Sequence, residues 1–180
     1  APPDVVTRYF VEAVSPEAFR ESGQTRFACQ EVPQSSLDEQ NLRSYGVVCL
    51  LDPVPLTPES WRRLSEYVRD GGALAIFLGH NATADGSFHD PLAKQLIGGK
   101  LSRQWRSGTG ELFLNPTQFT HPVLREFRGL ATSVPWDQFP VYRHWELDLP
   151  GLSGAEQPDA TQADTRAATS VLADASDGAI

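Results

Sequence analysis

The chain has 180 residues, 40% of them hydrophobic and 21% charged, and a formal net charge of −8. A typical domain runs to about 100–200 residues, so this length predicts a single domain with a sizeable core. Acidic residues spread along the chain argue against a nucleic-acid partner, which requires a basic face. No apolar run approaches the roughly 20 residues that span a bilayer, and no signal-peptide pattern is visible.

Asp4 is a candidate N-cap for an amphipathic helix over residues 4–14, with Val6, Phe10, Ala13 and Val14 at helical spacing and Pro16 as its stop. Arg26 to Val32 is predicted as a short strand ended by Pro33, and Ser36 to Leu42 as one or two helical turns. Tyr45 to Leu51 is a strong strand, followed by Asp52-Pro53-Val54-Pro55. Thr57-Pro58 starts a helix, with Thr as cap and Pro at the first helical position. Its expected buried face is Trp61, Leu64 and Val68, and Gly71-Gly72 is its left-handed stop. Ala73 to Leu78 is an unbroken apolar run closed by Gly79, His80 and Asn81, the pattern of a strand buried on both faces within a parallel sheet. Strand, helix and strand with a crossover of this length make a right-handed βαβ unit. Residues at the carboxyl edge of such a sheet are where open α/β folds place their sites.

A polar loop over residues 81–90 and a short helix from Pro91 to Ile97, ended by Gly98-Gly99, come next. Lys100 to Trp105 and Glu111 to Leu114 are expected to form a hairpin, and His121-Pro122 to open a helix through Phe127. Val141 to Leu147 alternates as an exposed strand does. Residues 149–165, rich in Pro, Gly, Ala, Gln and Asp, are expected as a mobile loop. Ala167 to Ala173 is a weaker last strand, before an Asp177-Gly178 hairpin turn. Cys29 and Cys49 lie in strand-like runs and are expected to be buried free thiols.

A parallel α/β domain ordinarily opens on a strand, whereas this chain opens on a helix and contains no Met, even at position 1. It is therefore expected to be a processed or excised piece, the parent supplying a strand before Ala1 and another after Ile180. In a flavodoxin-like order the first of these lies between Arg26–Val32 and Tyr45–Leu51. Without them, unpaired strand edges invite self-association.

Ala75-Ile76-Phe77-Leu78-Gly79-His80-Asn81 resembles the Gly-Ile-Cys-Leu-Gly-His-Gln nucleophile elbow of class I glutamine amidotransferases. Phe77 stands at the cysteine position, and His121-Pro122 is followed by Val123 rather than by the acid of the family's His-Pro-Glu motif. Pro58 to Gly79 is similar to noncatalytic amidotransferase-like domains of bacterial membrane proteins that carry BatA-type and von Willebrand A-like segments. His121-Pro122 with Leu124 and Phe127 also resembles an element of the ThuA-like group. The resemblance implies an α/β, three-layer, flavodoxin-like fold, its mostly parallel sheet flanked by helices. It further implies envelope or periplasmic association, with membrane attachment through segments outside these 180 residues, protein partners, no cofactor and no catalysis.

Nucleophilic catalysis requires a thiolate or hydroxyl beside a base, and Phe77 offers neither. The candidate crevice is Asp52, Gly79, His80, Asn81 and His121, with Gly79 allowing a tight turn that Asn81 closes. Asp85, His89 and Asp90 are metal-capable but lack a recognised ligand spacing, so no metal is assigned. Trp136-Asp137 and His144-Trp145 are expected in packing or an interface edge, and Arg103, Arg106 and Arg143 as solvated cations. The function expected is a catalytically silent binding or scaffold domain. The alternatives are a ThuA-like sugar-processing enzyme using His80 or His121, and a purely structural spacer.

Overall fold

The computed structural model describes residues 5–106, 108, 112–116, 119–121, 124–130, 133–149 and 173–175. The chain is of mixed α/β class and divides into two compact units, Ala1–Ala82 and Thr83–Ile180.

In the first unit, α1 (Val5–Val14) and α2 (Glu17–Glu21) precede two 3-10 turns, Gln34–Glu39 and Leu42–Ser44. Strand β1 (Val47–Leu51), helix α3 (Pro58–Arg69) and strand β2 (Ala73–Phe77) follow. The two strands pair in parallel, as the βαβ pattern predicts, from Val47 opposite Ala73 to Leu51 opposite Phe77. Asp52 N–H donates to Phe77 O at 2.8 Å and extends the ladder by one rung.

Helix α3 supplies most of the core. Thr57 caps it by accepting from Ser60 N–H at 3.0 Å, and Pro58 holds the first turn. Trp61 and Leu64 are fully buried, alongside Leu37, Leu42, Leu50 and Leu56. The third core position differs from the expected one. Val68 is 37% exposed and Tyr67 is buried instead, because the Tyr67 hydroxyl donates to Tyr45 O at 3.0 Å and draws the ring inward. The helix ends with Gly71 at φ +98°. Gly71 N–H bonds Val68 O at 3.0 Å and Gly72 N–H bonds Tyr67 O at 2.9 Å, the two bonds of a Schellman stop.

Three expectations for this unit need correction. Arg26–Val32 forms no strand: its residues have no ladder partner among the described residues, and Arg26 through Glu31 are exposed. Cys29 is accordingly exposed rather than buried, and both cysteines are free. The parallel pair is also only partly covered, with Val47 51% and Phe77 49% exposed, because a sheet of two strands leaves its ends and outer edges without neighbours. On α1, Val14 is exposed, while Phe10 packs edge-on against Phe77 with ring centroids 5.3 Å apart.

In the second unit a 3-10 turn (Gly86–His89) leads into α4 (Pro91–Ile97), stopped as expected by a left-handed Gly98. The expected hairpin is replaced by longer-range pairing. Strand β3 (Lys100–Arg106) runs antiparallel to β5 (Arg143–Asp148), with a bulge between Leu101 and Gln104. Strand β4 (Leu114–Pro116) pairs antiparallel with β6 (Ala173–Ala175). The reason lies in the side chains. Leu101 meets Leu147 across the ladder, Arg103 Nε donates to Glu146 at 2.7 Å, and the Arg103 guanidinium lies 3.9 Å over the Trp105 ring. Strand β5 starts at Arg143 because Val141 N–H is already bonded to Leu112 O at 2.7 Å. Phe88, Ala93, Leu101, Leu112 and Leu149 are the buried apolar residues of this unit among those described. The helix expected after His121 is a 3-10 turn, Arg125–Leu130. Asp4, Pro122, Val123, the loop from residue 150 onward, residues 167–172 and Asp177-Gly178 lie outside the described residues.

A Cβ at Gly72 falls 2.2 Å from two carbons of the Tyr67 ring, which is buried and tied by its hydroxyl. Overpacking of this kind costs about 1–3 kcal/mol. Gly72→Ala is expected to lower stability by that amount in urea denaturation, and Gly72→Ala with Tyr67→Leu to lose less than the sum of the two single changes.

Candidate functional site

Four of the five crevice residues meet at the carboxyl end of the parallel pair. Asp52 follows β1 in a left-handed conformation, φ 47°, the one non-glycine residue with positive φ among those described. The conformation costs a residue with a Cβ roughly 1–2 kcal/mol, least for Asn and Asp. It is held because the carboxylate turns back onto the chain leaving β2. Oδ1 accepts from Asn81 N–H at 2.9 Å, Oδ2 accepts from Asn81 Nδ2 at 3.1 Å, and the Asp52 carbonyl takes a second bond from Nδ2 at 3.3 Å. His80 donates through Nδ1 to Oδ2. The carboxylate side chain is only 10% exposed and the imidazole 68%. Gly79 is required by this approach, since a Cβ there would lie 2.4 Å from Asp52 Cγ and Oδ1.

Chemically, this is a carboxylate almost fully engaged by the chain that leaves β2, carrying on its outer side an exposed imidazole. The carboxylate fixes Nδ1 as the donor and leaves Nε2 as the nitrogen able to accept a proton or a hydrogen bond. Phe77 sits at the end of β2, where the elbow motif places its thiol. Cys49, within β1, is half-buried, and burial pushes its thiol pKa up, with Cys29 adding to the rise. That is the wrong direction for a thiolate nucleophile.

His121 belongs to the second unit, where its carbonyl accepts from Leu124 N–H at 3.0 Å and begins a turn. Two of the three metal-capable loop residues, Asp90 and His89, have contacts within their own unit. Asp90 caps α4 by accepting from Leu92 N–H at 2.8 Å, and His89 Nε2 lies 3.3 Å from Leu101 O. Among the described residues no three His, Cys, Asp or Glu side chains gather as a metal site, and no helix is long and apolar enough to cross a membrane. Arg103 is exposed, as expected of a solvated cation, and also donates to Glu146 and lies over the Trp105 ring. Sequence reasoning missed both ring nitrogens of His144 and the Trp136 Nε1, which are buried without a hydrogen-bond partner. Their strand and turn placement carries no local signal of this. No protein-family model, curated protein or solved structure matches the chain.

Two outcomes test this geometry. Asp52→Ala strands the Asn81 donors and keeps the backbone strain, so it is expected to cost roughly 1–3 kcal/mol in denaturation. Asp52→Gly loses the same bonds without the left-handed penalty and should be about 1 kcal/mol less damaging. In timed iodoacetamide labelling near neutral pH, mass spectrometry should find exposed Cys29 modified well before Cys49. Raising the pH should accelerate Cys49, as its protonated thiol begins to ionise.

Proposed function

We propose that the chain is a catalytically silent, amidotransferase-like binding or scaffold domain of a larger, membrane-anchored bacterial protein, its attachment lying outside these 180 residues. In this reading β1 and β2 are the centre of a three-layer, flavodoxin-like sheet, and the crevice at their carboxyl edge is a remnant used for contact with a protein partner. The observation that carries it is Phe77. An aromatic ring, edge-on to Phe10 and half-exposed, stands where the elbow requires a nucleophile. The engagement of Asp52 by Asn81 adds support, because a carboxylate spent on the neighbouring strand's exit is poorly placed to bind substrate.

One observation favours a second reading, a sugar-processing enzyme of ThuA-like type. The Asp52–His80 pair presents an oriented imidazole at the sheet edge, an arrangement suited to general-base work.

The wild-type chain should release no ammonia from glutamine above a boiled control. Phe77→Cys should not create activity, because a thiol with an ordinary pKa of about 8.5 is mostly protonated at neutral pH. Full burial of a Phe is worth about 3–5 kcal/mol relative to a small residue. With the ring half-exposed, Phe77→Cys should cost about half of that. Turnover of glutamine or of a sugar panel that disappears in His80→Ala would replace the silent-domain reading with the enzymatic one.

A further inference from the structure

Cys29 and Cys49 both lie in the first unit, and a chain of contacts brings them to the same side of β1. Cys49 is the middle residue of that strand and stands opposite Ala75 of β2. Side chains alternate along a strand, so Cys49 shares a face with Leu51 and with Phe77, the partner of Leu51. Phe10 packs against Phe77, which puts α1 on that face. Ser15, the residue after α1, is 1% exposed and its hydroxyl donates to Phe27 O at 3.1 Å. Shortly before β1, Tyr45 Oη donates to Gln30 Oε1 at 2.8 Å. Cys29 lies between these two anchors. One is at the end of the helix that covers the Cys49 face, and the other is at the foot of the strand that carries Cys49. Electrostatics agree, since charge on Cys29 opposes loss of the Cys49 proton. Both thiols are free, Cys29 exposed and Cys49 half-buried. Residues 27–33 join no ladder among the described residues, so no strand pairing has to break for Cys29 to close onto β1.

We propose that Cys29 and Cys49 are a dithiol–disulfide switch, closed by a small-molecule disulfide of the glutathione class, that fastens residues 27–33 onto β1. The exposed Cys29 thiolate attacks one sulfur of the small disulfide. A mixed disulfide forms on Cys29, and the first small thiol leaves. Cys49 then gives its proton to solvent and attacks Cys29 Sγ, which forms the Cys29–Cys49 bond and expels the second small thiol. The two protein thiols lose two electrons and two protons, and the small disulfide gains both as two thiols. The order follows from access, because a thiol attacks as its thiolate and only where the incoming sulfur can reach it. A half-buried thiol that holds its proton is a poor first nucleophile, but it is placed to resolve a mixed disulfide formed beside it. An excess of small thiol runs both steps backwards and releases the stretch. The switch is independent of whether the crevice around Asp52 is silent or catalytic.

The test treats the reduced 180-residue chain with oxidised glutathione under native conditions, blocks the remaining thiols with iodoacetamide and maps the peptides without reduction. The wild-type chain should become a monomer lighter by two hydrogens, with the Cys29 and Cys49 peptides joined. Cys49→Ser should stop at the glutathione adduct on Cys29. Cys29→Ser should consume oxidised glutathione about tenfold more slowly, because the exposed attacking thiol is gone. In the bridged wild type, amide hydrogen exchange across residues 27–33 should slow about tenfold and recover on adding dithiothreitol, as expected where a local opening is closed off. A wild-type chain that stays at the mixed disulfide would overturn the proposal, since a bridge requires Cα atoms within about 7 Å. So would a bridge that joins two chains, a bridge that forms only in urea, or exchange across residues 27–33 that the bridge leaves unchanged.

Discussion

The Asp52 carboxylate holds the carboxyl end of the parallel pair together. It takes hydrogen bonds from the backbone and side chain of Asn81 and from His80, and by doing so fixes how the chain leaves both strands. Pro53, fully buried, follows directly, and a residue before proline is already restricted in its backbone choices. The left-handed turn at Asp52 is thus stabilised by bonds made some thirty residues away in sequence. The glycine at 79 is dictated by the same contact, since any side chain there would displace the carboxylate. Rigidity at this edge and the limited chemistry of the crevice have one cause.

Much of this architecture is written locally. Thr57-Pro58 and Gly71-Gly72 bracket α3 within a residue, and Asp90-Pro91 and Gly98 do the same for α4, because caps and stops depend on neighbours in sequence. The apolar runs at Val47–Leu51 and Ala73–Phe77 pair in parallel because the helix between them leaves little other route. The partner of β3 was not legible. Glu146 and Leu147 lie more than forty residues from Arg103 and Leu101, and hairpin signals at Ser107–Gly110 point to a nearer strand that offers less. Arg26–Val32 has the composition of a strand, yet a strand exists only where a neighbour supplies its hydrogen bonds.

The site was legible in part, and the boundary is physical. Asp52, Gly79, His80 and Asn81 could be gathered because each lies just past a strand of one parallel pair. The left-handed backbone of Asp52 and the pairing of its carboxylate with His80 could not, since Asp-Pro is also an ordinary turn sequence. Val68 and Tyr67 show the same limit at the core. Both fit an apolar face of α3, and a single hydroxyl-to-carbonyl bond decides which of them is buried.

The junction between α3 and β2 carries a constraint on length rather than on residue type. Gly71 and Gly72 turn the chain in two residues, and Ala73 is already opposite Val47. Side chains alternate faces along a strand, so one residue added or removed between Arg69 and Ala73 would exchange the two faces of β2 throughout. Leu74 and Ile76 would trade sides with Ala75 and Phe77, and Phe77 would turn away from Phe10. This stretch can drift by substitution at its exposed positions, but it has no tolerance for insertion or deletion.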